Sequence, residues 1–262
     1  IMSEKIERNF VIFKILFQFF LALSFPMYVL FLKDGGMDPN QIGLVNTMFM
    51  IAVCLFEIPT GIIGDRCGRK KSIIIGLSIS SLGFLWYFVC QSFWMYVTAE
   101  VILALGMSFI SGSLQAWLKD TLSYHNGKKS FGVVWSNGAK FAHLAGILGG
   151  ATGALLGSYC IACPWLLAGL GLLFLAILSC FIVDESYFKH TNLSWQESRK
   201  ESWNLFTRAV KLAYRNKKIC YFFAITCLTT FALQPLNQQW SLYFEQAYGL
   251  KAIMFVWMGM SL

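Results

Sequence analysis

Gly61-Ile62-Ile63-Gly64-Asp65-Arg66-Cys67-Gly68-Arg69-Lys70-Lys71 closes one long apolar stretch and opens the next. Gly61 and Gly64 have the small-residue spacing that lets a neighbouring helix come close inside a membrane. Gly68 supplies the left-handed backbone of a tight turn between two helices. Asp65 stands among Arg66, Arg69, Lys70 and Lys71, an arrangement suited to ion pairing at the membrane edge. A cluster that only halts translocation needs bases, but not two glycines and an acid at fixed offsets.

The sequence on either side of this turn is apolar. The chain of 262 residues is 57% hydrophobic and only 13% charged, with a mean hydropathy of +0.60. A soluble domain carries about a quarter charged residues, so most of this chain must be dissolved in lipid. The net charge of +8 would suit a nucleic acid, but the bases lie in short loops between apolar runs, as membrane insertion requires. Nucleic acid is therefore excluded as a partner, and the lipid bilayer takes its place.

Apolar runs able to span the bilayer, about 20 residues each, cover 10–32, 42–64, 72–90, 95–118, 131–159, 164–183 and 219–244. Another begins at Ala252 and is cut short at Leu262. The expected fold is an all-α membrane protein with about seven complete transmembrane helices and a truncated eighth. Arg66, Arg69, Lys70, Lys71, Lys119, Lys128, Lys129 and the basic stretch 184–218 fall on one side, and Lys33 and Lys251 on the other. The positive-inside rule then places the N-terminus in the cytoplasm of a multi-pass protein of the inner (plasma) membrane. The first run is too long for a cleaved signal peptide and is read as a span that stays.

Between the sixth and seventh runs, Trp203, Phe206, Val210 and Ala213 recur at helical spacing, with Arg199, Lys200, Arg208, Lys211 and Arg215 opposite. That pattern predicts an amphipathic cytoplasmic linker over 188–218, either lying in the membrane interface or solvated. It divides a six-helix bundle (1–187) from the start of a second bundle (219–262). Of the eight cysteines, Cys54, Cys90, Cys180, Cys220 and Cys227 lie in apolar runs, where cysteine acts as a small hydrophobe. Cys160 and Cys163 in an outer turn are a local disulfide or two idle thiols, and no ligand set for a metal accompanies them.

The pattern Gly61-x-x-x-Asp65-Arg66-x-Gly68-Arg69-Lys70 resembles the signature of the major facilitator superfamily, and span number, orientation and linker agree with it. The resemblance covers the whole chain but little more than half of a twelve-span member. It implies two six-helix bundles that rock about a central cavity and move a small-molecule solute on a proton or other ion gradient, with no cofactor. It also implies a latch of Asp65 and Arg69 with an acid at the cytoplasmic end of the fourth span. Asp120 is that acid here, though it also reads as a plain helix-end acid beside Lys119. Gly149-x-x-x-Gly153-Ala154-x-x-Gly157 resembles the family's antiporter motif, with Ala154 where proline is usual and Lys140 at the offset of an upstream glycine. A flat groove for helix packing explains the same glycines. Many members carry arginine where the fourth span here has Glu100.

An ionisable group inside the membrane costs roughly 2.5–3.5 kcal/mol, so each needs a reason. Glu57 in the second span and Glu100 in the fourth read as proton-coupling carboxyls or as hydrogen-bonding partners of a neighbouring helix. Asn137, Lys140 and His143 share a face of the fifth span and read as cavity lining or a snorkelling edge. In the seventh, Gln234, Asn237, Gln238 and Trp240 surround Pro235, and Tyr243 follows; Gln18 and Gln115, with Trp117, complete the candidate lining. An amide- and aromatic-rich lining suits a neutral or amphiphilic organic solute.

The leading expectation is a secondary active transporter, proton-coupled, with drug or metabolite export one of its modes. An uptake symporter, a facilitator, or a transport-dead relative serving as scaffold or sensor are the alternatives. A seven-span receptor conflicts with a cytoplasmic N-terminus. The chain has no phosphate-binding G-x-x-x-x-G-K loop and no nucleophile–base set, which argues against a pump or an enzyme. A fragment is expected, one that requires the missing second half of the transporter to alternate access.

Overall fold

The computed structural model describes the chain apart from residues 1, 126, 128, 187, 189–202, 205–206, 209 and 262, and apart from the side chains of residues 2, 3, 235, 237, 238 and 261. Its elements are α1 (Met2–Ala22), a 3-10 turn (Phe25–Met27), α2 (Tyr28–Asp34), α3 (Pro39–Cys67), α4 (Arg69–Val89), α5 (Phe93–Tyr124), α6 (Phe131–Tyr159), α7 (Cys163–Ile182), α8 (Lys217–Tyr248) and α9 (Ala252–Ser261). No strand occurs among the described residues. Seven stretches are long and apolar enough to cross a membrane: Glu4–Asp34, followed by α3 to α8 in turn.

The first span is not one straight helix. Pro26 lacks an amide and its ring clashes with the preceding turn, so α1 ends at Ala22 and the chain passes through the 3-10 turn before α2 resumes. That break aims Tyr28 toward the middle of the bundle. α3 starts at a capping box: the Asp38 side chain accepts from the Gln41 amide at 2.9 Å, and Gln41 Oε1 accepts from the Asp38 amide at 3.1 Å. α3 ends at Gly68, whose φ of 101° is closed to side chains with a Cβ, and α4 begins at the next residue.

α5 packs against α3 and α4, α4 against α7, and α1 against α6 and α7. At the α1–α6 contact, a Cβ on Gly149 or Gly153 would run into the backbone carbonyls of Phe19 and Leu23. These glycines are therefore what lets the two helices touch, which is the packing role open to the fifth-span motif. In the turn after α3 only one of the two glycines has that role. Gly64 faces the hydroxyls of Ser113 and Ser72, whereas nothing approaches Gly61; the expected close approach at Gly61 is not present among the described residues.

Phe181 and Phe231 are 81% and 82% exposed, a placement that suits lipid and not water. α9 lies on α6, with the Trp257 ring filling the space that Gly150 leaves open. α8 touches α2 and α9, but from Lys217 to Leu233 it is exposed apart from Ile219. Cys160 and Cys163 form a disulfide with a Cα–Cα distance of 5.4 Å, which selects the first of the two readings of that pair. Of the predicted linker, Trp203, Asn204, Thr207, Arg208 and 210–215 are helical. Phe206, Arg199 and Lys200 lie outside the described residues, and so does much of the evidence for an amphipathic face.

Candidate functional site

Two regions gather the polar residues, one at the basic turn and one inside the bundle. At the turn, Arg69 pairs with Asp65 one helical turn back. The backbone amides of Arg69 and Lys70 both donate to the carboxylate of Glu185, the Lys70 bond being 3.1 Å. Gly68, the N-cap of α4, has no side chain to satisfy those amides, so Glu185 caps the helix from the far end of α7. Burial pushes the Glu185 carboxyl above its ordinary value of 4.5, against the opposing pull of the two amides and the charges of Arg69 and Lys70. Neighbouring bonds fasten the same stretch: Lys70 Nζ donates to the Cys180 carbonyl at 2.6 Å, and Trp117 Nε1 to the Asp184 carbonyl at 2.7 Å.

Asp120 does not take part. It is exposed at the end of α5, and no hydrogen bond or ion pair joins it to Asp65 or Arg69 among the described residues. The acid that meets the turn is Glu185, which follows the sixth span, not the fourth. Arg66 lies beside this cluster, with one guanidinium nitrogen buried. Trp117, expected as cavity lining, is instead 1% exposed and bound to the exit of α7.

Inside the bundle, a cavity of about 540 Å³ opens between the first-half helices and α8 and α9. Its walls are aromatic: Phe25, Tyr28, Phe49, Phe84, Tyr87, Trp165, Trp240 and Trp257. Among the described residues the carboxyl on its wall is that of Glu100, 5% exposed. The Tyr28 and Tyr87 hydroxyls donate to the same oxygen, Glu100 Oε1, at 2.6 and 2.7 Å. Two such bonds to a charged acceptor, about 1.5–3 kcal/mol each, reduce the cost of holding a carboxylate in the membrane. No cationic side chain pairs with Glu100 among the described residues. Opposite, Gln234 Nε2 donates to Asn46 Oδ1 at 2.9 Å, joining α8 to α3.

A second cavity, of about 370 Å³, lies between α1 and α6 and is lined by Lys14, Gln18, His143 and Gly146, sharing Phe25 and Trp257 with the first. Of the sequence candidates, the structure thus brings Glu100, Gln234 and Trp240 to one cavity and Gln18 and His143 to the other. Asn137 faces a shallow cleft near Glu7 and Lys129. Glu57, Gln115 and Lys140 are exposed and line neither cavity. Tyr243 is 68% exposed. Helix α8 includes Asn237 and Gln238, but their side chains lie outside the described residues.

The sequence reading passed over Tyr28, Asn46, Tyr87, Trp165 and Lys14. Lys14 alone had a clear signal, as a charge inside an apolar run. The tyrosines looked like ordinary core aromatics, and only their meeting at Glu100 sets them apart.

Seven stretches long and apolar enough to cross a membrane, packed round an aromatic cavity with a basic glycine turn at one end, define an all-helical, multi-pass membrane protein. The Major Facilitator Superfamily model matches residues 10–262, and the chain belongs to that family. It is 25% identical over 220 residues to the "Uncharacterized MFS-type transporter YxaM" of Bacillus subtilis, covering 84% of this chain and 54% of that protein. Over 231 residues it is 25% identical to "Multidrug resistance protein 2" of the same organism, covering 87% of this chain and 56% of that one. Over 245 residues it is 23% identical to "Quinolone resistance protein NorA" of Staphylococcus aureus, covering 90% and 58% respectively. The chain thus spans little more than half the length of these curated relatives. A crystal structure of a variant of the nucleoside transporter NupG matches the fold with a TM-score of 0.70 at 14% identity, covering 98% of this chain and 64% of that one.

Proposed function

We propose that this chain supplies the first bundle and the opening helices of the second in a secondary active exporter, which moves an aromatic organic solute bearing a cationic group in exchange for protons. The observation that carries the reading is Glu100: a buried carboxylate held by two tyrosine hydroxyls, with no cationic side chain paired with it among the described residues, on the wall of an aromatic cavity. Aromatic faces attract organic cations by about 0.5–2 kcal/mol each, and the carboxylate adds a charge-assisted contact. One carboxylate holds either a proton or a cationic solute, so the two compete, and competition for one site is the chemistry of exchange. The names of the resistance-protein relatives favour export. The proposed orientation puts the N-terminus and the basic turn in the cytoplasm of a plasma membrane. The Cys160–Cys163 disulfide supports it, since its turn falls on the side opposite the basic loops and disulfides persist outside the reducing cytosol.

In this reading Asp65, Arg69 and Glu185 belong to a gate and do not touch the solute. The test is export of N-methylacridinium, a permanently charged aromatic cation, by the full-length protein in proteoliposomes under an imposed pH gradient. Glu100→Gln keeps the shape and removes the charge, and should slow export at least about tenfold, the equivalent of about 1.4 kcal/mol. Export at the wild-type rate by that variant would sink the proposal.

A further inference from the structure

The disulfide of the turn between α6 and α7 has no part in the transport reading beyond marking a side of the membrane. Cys160 caps the C-terminus of α6 and Cys163 opens α7. Backbone bonds already close this turn: the Cys160 amide donates to the Leu156 carbonyl at 2.9 Å, and the Cys163 amide to the Cys160 carbonyl at 3.0 Å. The bracing that a disulfide gives grows with the loop it closes, and these cysteines are three positions apart. Cleaving it therefore leaves the fold standing and frees only the last turn of α6. Both cysteines are partly exposed, where an attacking thiolate can reach them. On cleavage Cys163 is released at the N-terminus of a 20-residue helix, whose dipole favours its thiolate as the leaving group.

Ile161 and Ala162, between the two cysteines, wall a crevice of about 480 Å³ together with Phe31, Phe88, Tyr96 and Asp34. Cys90 lines it too, but its Sγ–H donates to the Trp86 carbonyl at 3.1 Å, so the attacking thiol comes from outside the chain. Aromatic walls beside a carboxylate suit a small neutral compound and disfavour an anionic one. On the other flank, Tyr159 is 76% exposed, with Lys251 Nζ 5.8 Å from its ring centroid. Lys251 lies in the turn between α8 and α9. The last turn of α6 is thus part of the contact that joins the first bundle to the opening helices of the second.

We propose that Cys160–Cys163 is a thiol–disulfide exchange site for small neutral dithiols, and that its reduction loosens the contact of α6 with the α8–α9 turn. One thiolate of the dithiol attacks Cys160 Sγ; the Cys160–Cys163 bond breaks and its electron pair leaves on Cys163. The second thiolate attacks the dithiol sulfur now bound to Cys160, closing a cyclic disulfide and releasing Cys160. Two electrons pass from the dithiol to the protein pair, and its two protons end on the two cysteines. Placing the site on the outer face rests on the transport reading above.

Full-length protein in a neutral detergent, its free thiols blocked with N-ethylmaleimide, is treated with dihydrolipoamide or with its anionic analogue dihydrolipoate. Iodoacetamide labelling and peptide mass spectrometry then count reduced Cys160 and Cys163. Dihydrolipoamide should reduce the pair at least about threefold faster than dihydrolipoate, the size of one exposed charge contact, and Asp34→Asn should narrow that gap. The Gly249 and Ala252 amides are bonded to the Glu245 and Gly249 carbonyls, and their hydrogen exchange should quicken about tenfold on reduction. A Cys160→Ser/Cys163→Ser variant should match the reduced protein with or without dithiol; if it does not fold, reduction of the wild type gives the same comparison. A pair that stays oxidised until the protein unfolds, equal rates for the two dithiols, or α8–α9 amides indifferent to reduction overturns the inference while the transport reading stands. Labelling of the reduced pair in proteoliposomes by a membrane-impermeant maleimide only from the cytoplasmic side overturns the orientation in that reading as well.

Discussion

Replacing Glu185 by alanine leaves the amides of Arg69 and Lys70 without their acceptor at a helix N-terminus whose preceding residue, Gly68, has no side chain to offer. Loss of a capping side chain costs about 0.5–2 kcal/mol. Burial disfavours the charge of Glu185, so no further gain is counted for it, and about 1–2 kcal/mol is expected. For a chain of this size each kcal/mol is worth about 2–4 °C, so Glu185→Ala should lower the melting temperature in detergent by about 2–8 °C. Glu185→Gln keeps one carbonyl acceptor and should lose about half as much. Hydrogen exchange locates the effect, since amides in the first turn of α4 should exchange about tenfold faster while those of α5 stay protected. Asp120→Ala, which removes an exposed acid with no partner among the described residues, should lie within about 0.5 kcal/mol of wild type. A Glu185→Ala variant that melts with the wild type, or an Asp120→Ala variant that falls as far, would refute the assignment of Glu185 as the cap of the turn.

Because burial raises the Glu185 carboxyl above 4.5, the folded protein holds that proton more tightly than the unfolded chain. The stability tied to it is complete below about 4.5 and lost as pH rises through the raised value. A melting series from pH 4 to 8 should show that slope in wild type and not in Glu185→Gln. Gly153→Leu should abolish the folded, monodisperse protein in size-exclusion chromatography, because the side chain meets the Leu23 carbonyl, whereas Gly61→Ala, facing open space, should behave as wild type. Lys33 and Glu245 pair at 3.7 Å between α2 and α8. Glu245→Lys should therefore open that end and increase maleimide labelling of a Ser241→Cys reporter in the cavity, and the charge swap with Lys33→Glu should reverse the effect.

Much of the architecture was legible in the sequence. The apolar runs delivered the spans because a backbone in lipid must satisfy its hydrogen bonds locally, and a helix does so within four residues. Gly68 marks a turn because its constraint acts on its own dihedrals, whereas the break at Pro26, inside a run read as one span, came only with the structure. The site was legible only in part. Glu100 stood out as a charge inside a span, but the sequence could not pair it with Tyr28 and Tyr87, which come from positions 72 and 13 residues away. The acid that meets the turn was hidden for the same reason. Asp120 had the right position along its own helix, yet Glu185, 116 residues from Arg69, reaches the turn.

By itself, then, the sequence determined what each segment is: its length and its apolar character. Those properties follow from neighbours within a few residues and from the thickness of the bilayer. Which helix face turns inward, which glycines touch a neighbour, and which charges share a cavity were decided by tertiary packing alone. A helix with apolar residues all round carries no stripe to say which way it faces. In lipid, that orientation comes from close contacts such as Gly153 on Leu23 and from polar groups finding one another across the bundle.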